Sequence, residues 1–253
     1  MELYVEIDGV LALTNFPTRM RSMNTQLQLG LSEQEIASIN CWPDFWKLPQ
    51  VQAFIVREGR QRALERVKHT ALHPTYVVTC LETEGAHAGM MTLHTLGSVA
   101  YLTDWGTQSG GAWGEKLQVA TARWLAEHTF PQADQLACVY PLSAKLVYLV
   151  ERVRTTNAPV ILIDDQAAKL SEAAGELDAE QQAILRRCVG VWAFGTRQLA
   201  GCRQIGRASS PFSEWLPFPT WRHLEQVLHH SQLVSGKWLA PSDDKADGSG
   251  ECP

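Results

Sequence analysis

The stretch M-E-L-Y-V-E-I-D-G-V-L-A-L, residues 1–13, decides how the rest of the chain is read. Leu3, Tyr4, Val5 and Ile7 are apolar and β-prone, and Gly9 ends the run. This predicts a buried strand over residues 2–8. Two carboxylates, Glu6 and Asp8, stand one residue apart at its end. Carboxylates do not sit at the end of a buried strand without a partner, because burial penalises the ionised form.

Working outward, residues 84–230 alternate between two periodicities. E-G-A-H-A-G-M-M-T-L-H-T-L-G reads as a helix stopped by Gly97. S-V-A-Y-L-T is a strand ending at Thr103. W-G-E-K-L-Q-V-A-T-A-R-W-L-A-E-H is a helix with Leu117, Ala120, Trp124 and Leu125 on one face. Strand D-Q-L-A-C-V-Y-P, helix A-K-L-V-Y-L-V-E-R-V-R-T-T, strands P-V-I-L-I-D-D-Q and V-G-V-W-A-F-G-T, and closing helix T-W-R-H-L-E-Q-V-L-H-H follow. Strands alternating with helices argue for βαβ units around a parallel sheet. Residues 15–83 differ. Ser32 with Glu35 three residues on is a capping-box pattern, Pro49 suits a helix start, and the stretch 48–68 has apolar residues at helical spacing. This predicts a mostly helical insertion.

With 253 residues, 45% of them hydrophobic, the chain can bury a sizeable core. A net charge of −5 argues against a nucleic-acid-binding surface. The basic spots T-R-M-R (18–21) and R-A-L-E-R-V-K (62–68) read as solvated helix faces. No N-terminal signal peptide, membrane-spanning run or internal repeat is visible. Six cysteines at 41, 80, 138, 188, 202 and 252 form no CxxC pair, which fits a reducing cytoplasm better than a disulfide framework or a zinc site. The polar, Gly-rich residues 236–253 are expected to be a disordered tail.

In an open parallel sheet, ligands bind outside the carboxyl ends of the strands. The predicted strands end in Glu6 and Asp8, in Thr103 and Asp104, and in Asp164 and Asp165, and a loop holding Ser143 and Lys145 precedes the third helix. Unpaired, such carboxylates would raise each other's pKa. A hard divalent cation relieves them, and Mg²⁺ is usually held by one or two carboxylates with a substrate phosphate. Lys145 and Thr103 suit phosphate oxygens. Each residue alone has a plainer reading: an Asp at a strand end is often a helix N-cap, a lone lysine lies on the surface, a lone threonine serves a turn. Only their coincidence points to a Mg²⁺-phosphate site. Trp42, Trp46, Trp105 and Trp113 could stack on a base, but aromatic residues in an amphipathic insertion usually pack it onto the core. Trp124, Trp192, Trp215 and Trp221 read as core residues. His87 and His94 share a helix face without a third ligand.

The order of strand ends resembles the haloacid dehalogenase (HAD) superfamily of phosphatases. That family has a strand ending D-x-D-G-[TV]-L, a strand ending in Thr or Ser, a Lys before a helix, and a strand ending in an acidic pair. Here these read E-I-D-G-V-L (6–11), A-Y-L-T (100–103), S-A-K-L (143–146) and L-I-D-D (162–165). Segments 84–103, 122–131 and 217–228 look most like the 5′(3′)-deoxyribonucleotidase-like branch. The resemblance implies a Rossmann-like α/β core with a parallel sheet (1–14 and 84–235) and a small helical cap (15–83). It implies catalytic roles for Glu6, Asp8 and Lys145, and phosphate binding by Thr103, Asp104 and Lys145. It also implies a Mg²⁺ site at Glu6, Asp8, Asp164 and Asp165. The expected ligand is a small phosphorylated substrate, with no nucleic-acid polymer and no membrane, in a monomer or homodimer.

The departure lies at the first position. The family's nucleophile is Asp, and here it is Glu6. One added methylene changes the reach by about 1.5 Å, and a misplacement of roughly 1 Å can cost on the order of a hundredfold in an aligned transfer. The chain also reads T-D-W-G-T after the second strand, where the branch has T-S-P, and Gln166 stands where a basic residue is frequent. Two functions follow: a Mg²⁺-dependent phosphomonoesterase weakened by Glu6, or an inactive relative that binds a phosphorylated ligand or a protein partner. A third reading, an unrelated α/β binding module with capping acids, is also open.

Overall fold

A computed structural model describes residues 1–105, 113–196 and 210–236. The expected tail, apart from Gly236, lies outside them, as do the residues just after Trp105 in T-D-W-G-T. Strand β1 (Glu2–Val5) and the short β2 (Ala12–Leu13) are followed by six helices. These are α1 (Phe16–Leu27), α2 (Glu33–Ser38), α3 (Trp42–Lys47), α4 (Pro49–Glu58), α5 (Arg60–Ala71) and α6 (Pro74–Val77). β3 (Leu81–Glu82) returns antiparallel to β2. The chain continues through α7 (Ala86–Leu96), β4 (Ser98–Thr103), α8 (Gly114–Glu127), β5 (Leu136–Cys138), α9 (Leu142–Thr156) and β6 (Val160–Asp164). It ends with α10 (Ala167–Ala174), α11 (Ala179–Cys188), β7 (Val189–Phe194), β8 (Glu214–Phe218) and, after a 3₁₀ turn, α12 (Leu224–His230).

Six strands form one sheet in the order β5-β4-β1-β6-β7-β8, with every neighbouring pair parallel. The first strand is central: Val5 lies beside Tyr101 of β4 and Ile163 of β6. The ends of β1, β4 and β6 therefore emerge together on one edge. Successive residues of β1 face opposite sides of the sheet. Leu3 and Val5 join Met90, Leu93, Trp124, Leu125 and Trp221 on one face. Tyr4 joins Leu146, Leu149, Leu170 and Leu185 on the other. The large aromatic residues find acceptors when buried: the Trp124 indole donates to the Cys80 carbonyl at 3.2 Å, and the Trp192 indole to Glu214 Oε1 at 2.9 Å.

The segment between β2 and β3 has its own apolar cluster, built from Met20, Met23, Leu27, Ile36, Phe45, Val51, Phe54, Ala63 and Val67. The Ser32/Glu35 capping box forms, and Pro49 opens α4. The 48–68 stretch is helical as its spacing predicted, in two helices, because Gly59 at φ +80° separates α4 from α5. The first strand is also shorter than expected. It ends at Val5, and the amides of Val10, Leu11 and Ala12 all turn back to the Ile7 carbonyl. Gly9, at φ +77°, permits that turn. Helices α10 and α11 and strand β8 were not expected. Pro217 within β8 is tolerated because β8 is the outer strand of the sheet.

Candidate functional site

Three buried charges occupy the edge where β1, β4 and β6 end. Glu6 directly follows β1, is 1% exposed, and its amide donates to the Ile163 carbonyl at 2.9 Å. Asp164 is the last residue of β6, and both it and Lys145 are fully buried. Lys145 does not stand in a loop as the sequence suggested. It lies in the first turn and a half of α9, with Ser143, because that helix already begins at Leu142. Its ammonium donates to Glu6 Oε2 and, at 2.9 Å, to Asp164 Oδ2. The remaining oxygens are engaged too: Glu6 Oε1 accepts from the Ile7 amide at 2.8 Å, and Asp164 Oδ1 from the Gln166 amide at 2.7 Å.

Two anions therefore share one cation in the protein interior. Burial works against the Lys145 charge, but Glu6 and Asp164 more than offset it and hold the ammonium firmly protonated. Burial pushes the Glu6 carboxyl up, with Lys145 opposing and Asp164 and Asp104 adding to the rise.

Around this triad lie the other acids. Asp8 sits in the turn after β1, bridged to Ala12. Burial raises its carboxyl; the Arg19 charge opposes that rise and the Asp104 charge adds to it. Asp165 follows Asp164 and packs against the backbone of Gly9, where an added Cβ would come within 2.5 Å of Asp165 Oδ2. Although Asp165 keeps an exposed face, its carboxyl is pushed up to about 7 by desolvation and by the charges of Asp164 and Asp8. Thr103 ends β4, is fully buried, and accepts the Trp105 amide at 3.2 Å through its Oγ1. Asp104 is half-buried and acts on Glu6, Asp8 and the Cys138 thiol through its charge. The edge thus gathers Glu6, Asp8, Thr103, Asp104, Lys145, Asp164 and Asp165.

Among the described residues, no three or more His, Cys, Asp or Glu side chains are grouped closely enough to cage a metal ion. Mg²⁺ does not require such a cage, since it binds through one or two carboxylates and keeps its waters. The donor chemistry suits it: the oxygens are hard, and the five acids Glu6, Asp8, Asp104, Asp164 and Asp165 outnumber the cations Lys145 and Arg19 that act on them. Asp8 and Asp165 lie outside the hydrogen bonds that Lys145 makes to Glu6 and Asp164.

The aromatic candidates are mostly committed to packing. Trp42 and Trp46 lie edge-on to Phe45. Trp105 is buried. Trp113 donates to His69 at 2.8 Å and packs on His73, joining α5 to the start of α8. A cavity of about 170 Å³ bordered by Glu2, Tyr4, Ser98, Leu136 and Arg152 lies at the opposite, amino-terminal ends of the strands, away from this chemistry.

One residue escaped the sequence reading. Arg19, assigned there to a solvated helix face, is only 8% exposed. Its signal was its spacing: Arg19, Met23 and Leu27 recur every four residues, so Arg19 occupies the buried stripe of α1.

No protein-family model matches the sequence, and no curated protein matches it either. Solved structures do. A HAD-superfamily hydrolase, subfamily IA, from Geobacter sulfurreducens PCA superposes with a TM-score of 0.50 at 12% identity, over 90% of this chain and 95% of that one. A HAD family hydrolase from Deinococcus radiodurans R1, with bound phosphate and sodium, gives 0.48 at 13% identity, over 92% and 96%. A haloacid dehalogenase-like hydrolase from Xanthomonas campestris gives 0.48 at 14%, over 93% and 96%. Likeness at this identity speaks to architecture, and the Geobacter match together with the parallel six-stranded sheet gives this chain the Rossmann-like α/β fold of the HAD hydrolases.

Proposed function

We propose that this chain is a phosphomonoester hydrolase of the HAD type, Mg²⁺-dependent, acting on a small phosphorylated substrate. The observation that carries this reading is the meeting of Asp8, Thr103, Lys145, Asp164 and Asp165 at one sheet edge, beside the turn that leads into the helical segment. Residues 15–83 then act as a cap over a core of 1–14 and 84–235. The Thr103 hydroxyl donates to a phosphoryl oxygen, and Lys145 supplies a fixed positive charge. Asp8 gives a proton to the leaving alcohol and then takes one from the attacking water. Glu6 attacks phosphorus: its new O–P bond forms as the ester O–P bond breaks, and water later cleaves the acyl-phosphate. Bound through one or two of the carboxylates among Glu6, Asp8, Asp164 and Asp165, with its remaining waters, Mg²⁺ would neutralise the anionic ester. The deoxyribonucleotidase-like branch, cytoplasmic setting and monomer or homodimer state are carried as part of the same proposal.

A second reading is favoured by Glu6 itself. Both of its oxygens are hydrogen-bonded, and the side chain is 1% exposed. A carboxylate so held is a poor nucleophile, which suits a protein that binds a phosphorylated ligand without turning it over. Hydrolysis of para-nitrophenyl phosphate with Mg²⁺, wild type beside Glu6→Asp and Asp8→Asn, separates the two. Wild-type turnover that Asp8→Asn abolishes establishes the hydrolase. A silent wild type with activity gained in Glu6→Asp establishes the binding protein. Silence in all three, with folded protein and no phosphate binding, overturns both.

A further inference from the structure

We propose that Arg19 selects the ligand, its guanidinium receiving a second anionic group, carboxylate or phosphate, on a phosphomonoester whose phosphoryl group lies at Thr103 and Lys145. The inference rests on the phosphomonoester reading above and deepens it to a substrate class. Arg19 lies one turn into α1, whose N-cap residue Asn15 follows closely on the β2 residues tied to the Asp8 turn. The helix therefore starts at the sheet edge that carries the site. Met20, Met23 and Leu27 bury its apolar stripe in the helical segment, and Arg19 is carried inward with them.

The guanidinium is held by aromatic faces. Its carbon lies 5.7 Å from the ring centre of Tyr76 and 6.0 Å from that of Trp42. Its Nε is buried with no hydrogen-bond partner among the described residues. Aromatic faces orient a guanidinium and recover part of its lost hydration. They do not satisfy its N–H groups, and arginine cannot escape by deprotonating. A buried cation left short of acceptors is costly unless something anionic arrives. The Asp8 turn is bridged to Ala12, three residues before the α1 N-cap, so the cation in the first turn of α1 stands at the end of the helix nearest the proton donor. A planar fork fixed between two rings suits bidentate capture of a carboxylate or phosphate.

Two phosphomonoesters test this: glycerol 3-phosphate and 3-phosphoglycerate, alike except for a hydroxymethyl group in one and a carboxylate in the other. Calorimetric titration of the full chain with Mg²⁺ is expected to show the carboxylate-bearing ester bound about tenfold or more tightly. In Arg19→Gln the ratio between the two falls to about one, and Arg19→Lys restores only part of it, since an ammonium lacks the fork. A wild-type ratio near one, or a ratio that survives Arg19→Gln, overturns the proposal while leaving the phosphomonoester reading intact. Failure of both esters and of inorganic phosphate to bind the wild type sinks that reading, and this proposal with it. The melting temperature of Arg19→Met without ligand is the second measurement. It equals or exceeds that of wild type if the guanidinium waits for a ligand. A drop of several degrees makes Arg19 a structural residue and overturns the proposal.

Discussion

Replacing Lys145 by methionine tests the buried triad, because the stoichiometry is two carboxylates to one ammonium. At an effective dielectric of about 20, unit charges 2.9 Å apart attract by about 6 kcal/mol, part of which only repays the loss of hydration. Lys145→Met keeps the apolar stem but strands Glu6 and Asp164, both essentially without solvent. Breaking such a buried pair costs about 3–5 kcal/mol. Glu6→Gln removes one anion of the two and leaves a neutral Lys145–Asp164 pair. Its amide oxygen can still accept from Lys145 or from the Ile7 amide, so the cost is that of one weakened hydrogen bond, about 1–2 kcal/mol. The expected order is therefore Lys145→Met well below Glu6→Gln in stability, read from urea midpoints at unchanged slope. Glu6→Gln, Asp164→Asn and Lys145→Met combined should recover part of the single-lysine loss. Glu6→Gln costing as much as Lys145→Met would mean that the charges do not share one cation, and the description of the site would be wrong.

Gly9→Ala forces a side chain into φ +77° and into contact with Asp165, so a loss of roughly 1–2 kcal/mol from the backbone alone is expected, with more from the clash. A double-mutant cycle with Asp165→Ala should relieve the second part and leave the first. Mg²⁺ should raise the melting temperature of wild type and do so less in Asp165→Asn, since Asp165 takes no hydrogen bond from Lys145; equal shifts in both would remove Asp165 from the metal site. At the opposite end of β1, Glu2 makes a two-pronged pair with Arg152, with contacts of 2.6 and 3.1 Å. Burial opposes the Glu2 charge, but Arg152 and Tyr4 prevail and hold its carboxyl below the usual range. That stabilisation is present above the carboxylate range of the unfolded chain and is lost as pH falls through the lowered folded value. Glu2→Gln should therefore cost about 1 kcal/mol at pH 7 and progressively less as pH falls below the usual carboxylate range, judged from urea melts from pH 7 downward.

The sheet was legible because its signals are local. Apolar runs bounded by glycine and polar residues recur at β1, β4, β5, β6 and β7, and each run lies where the sequence placed it, give or take a few residues. Strand β8 was missed because Glu214 and Pro217 spoil its apolar run. Glu214 is in fact buried and takes hydrogen bonds from Trp192, Ser231 and the Gln232 amide, all distant in sequence. The acids of the site were legible as a coincidence of strand ends. Lys145 pairing with both Glu6 and Asp164 was not, since that depends on where α9 starts relative to β6. Arg19 was misread for a related reason: the basic and polar residues Thr18, Arg21 and Ser22 around it mask the four-residue spacing to Met23 and Leu27.

The same geometry bears on why glutamate stands at position 6. An aspartate there would end one bond sooner, and its second oxygen would have to find a partner beyond the strand. Glu6 is long enough to turn one oxygen back on the Ile7 amide while the other meets Lys145. The extra methylene is thus taken up by curling against the protein's own backbone, and the carboxylate closes the ion network instead of opening toward a ligand. Shortening it withdraws the oxygen from Ile7 without removing the charge that Lys145 needs. Glu6→Asp is therefore a change that can expose a carboxylate oxygen while preserving the fold. Its effect on turnover reports the geometry of attack and not the loss of the buried pair.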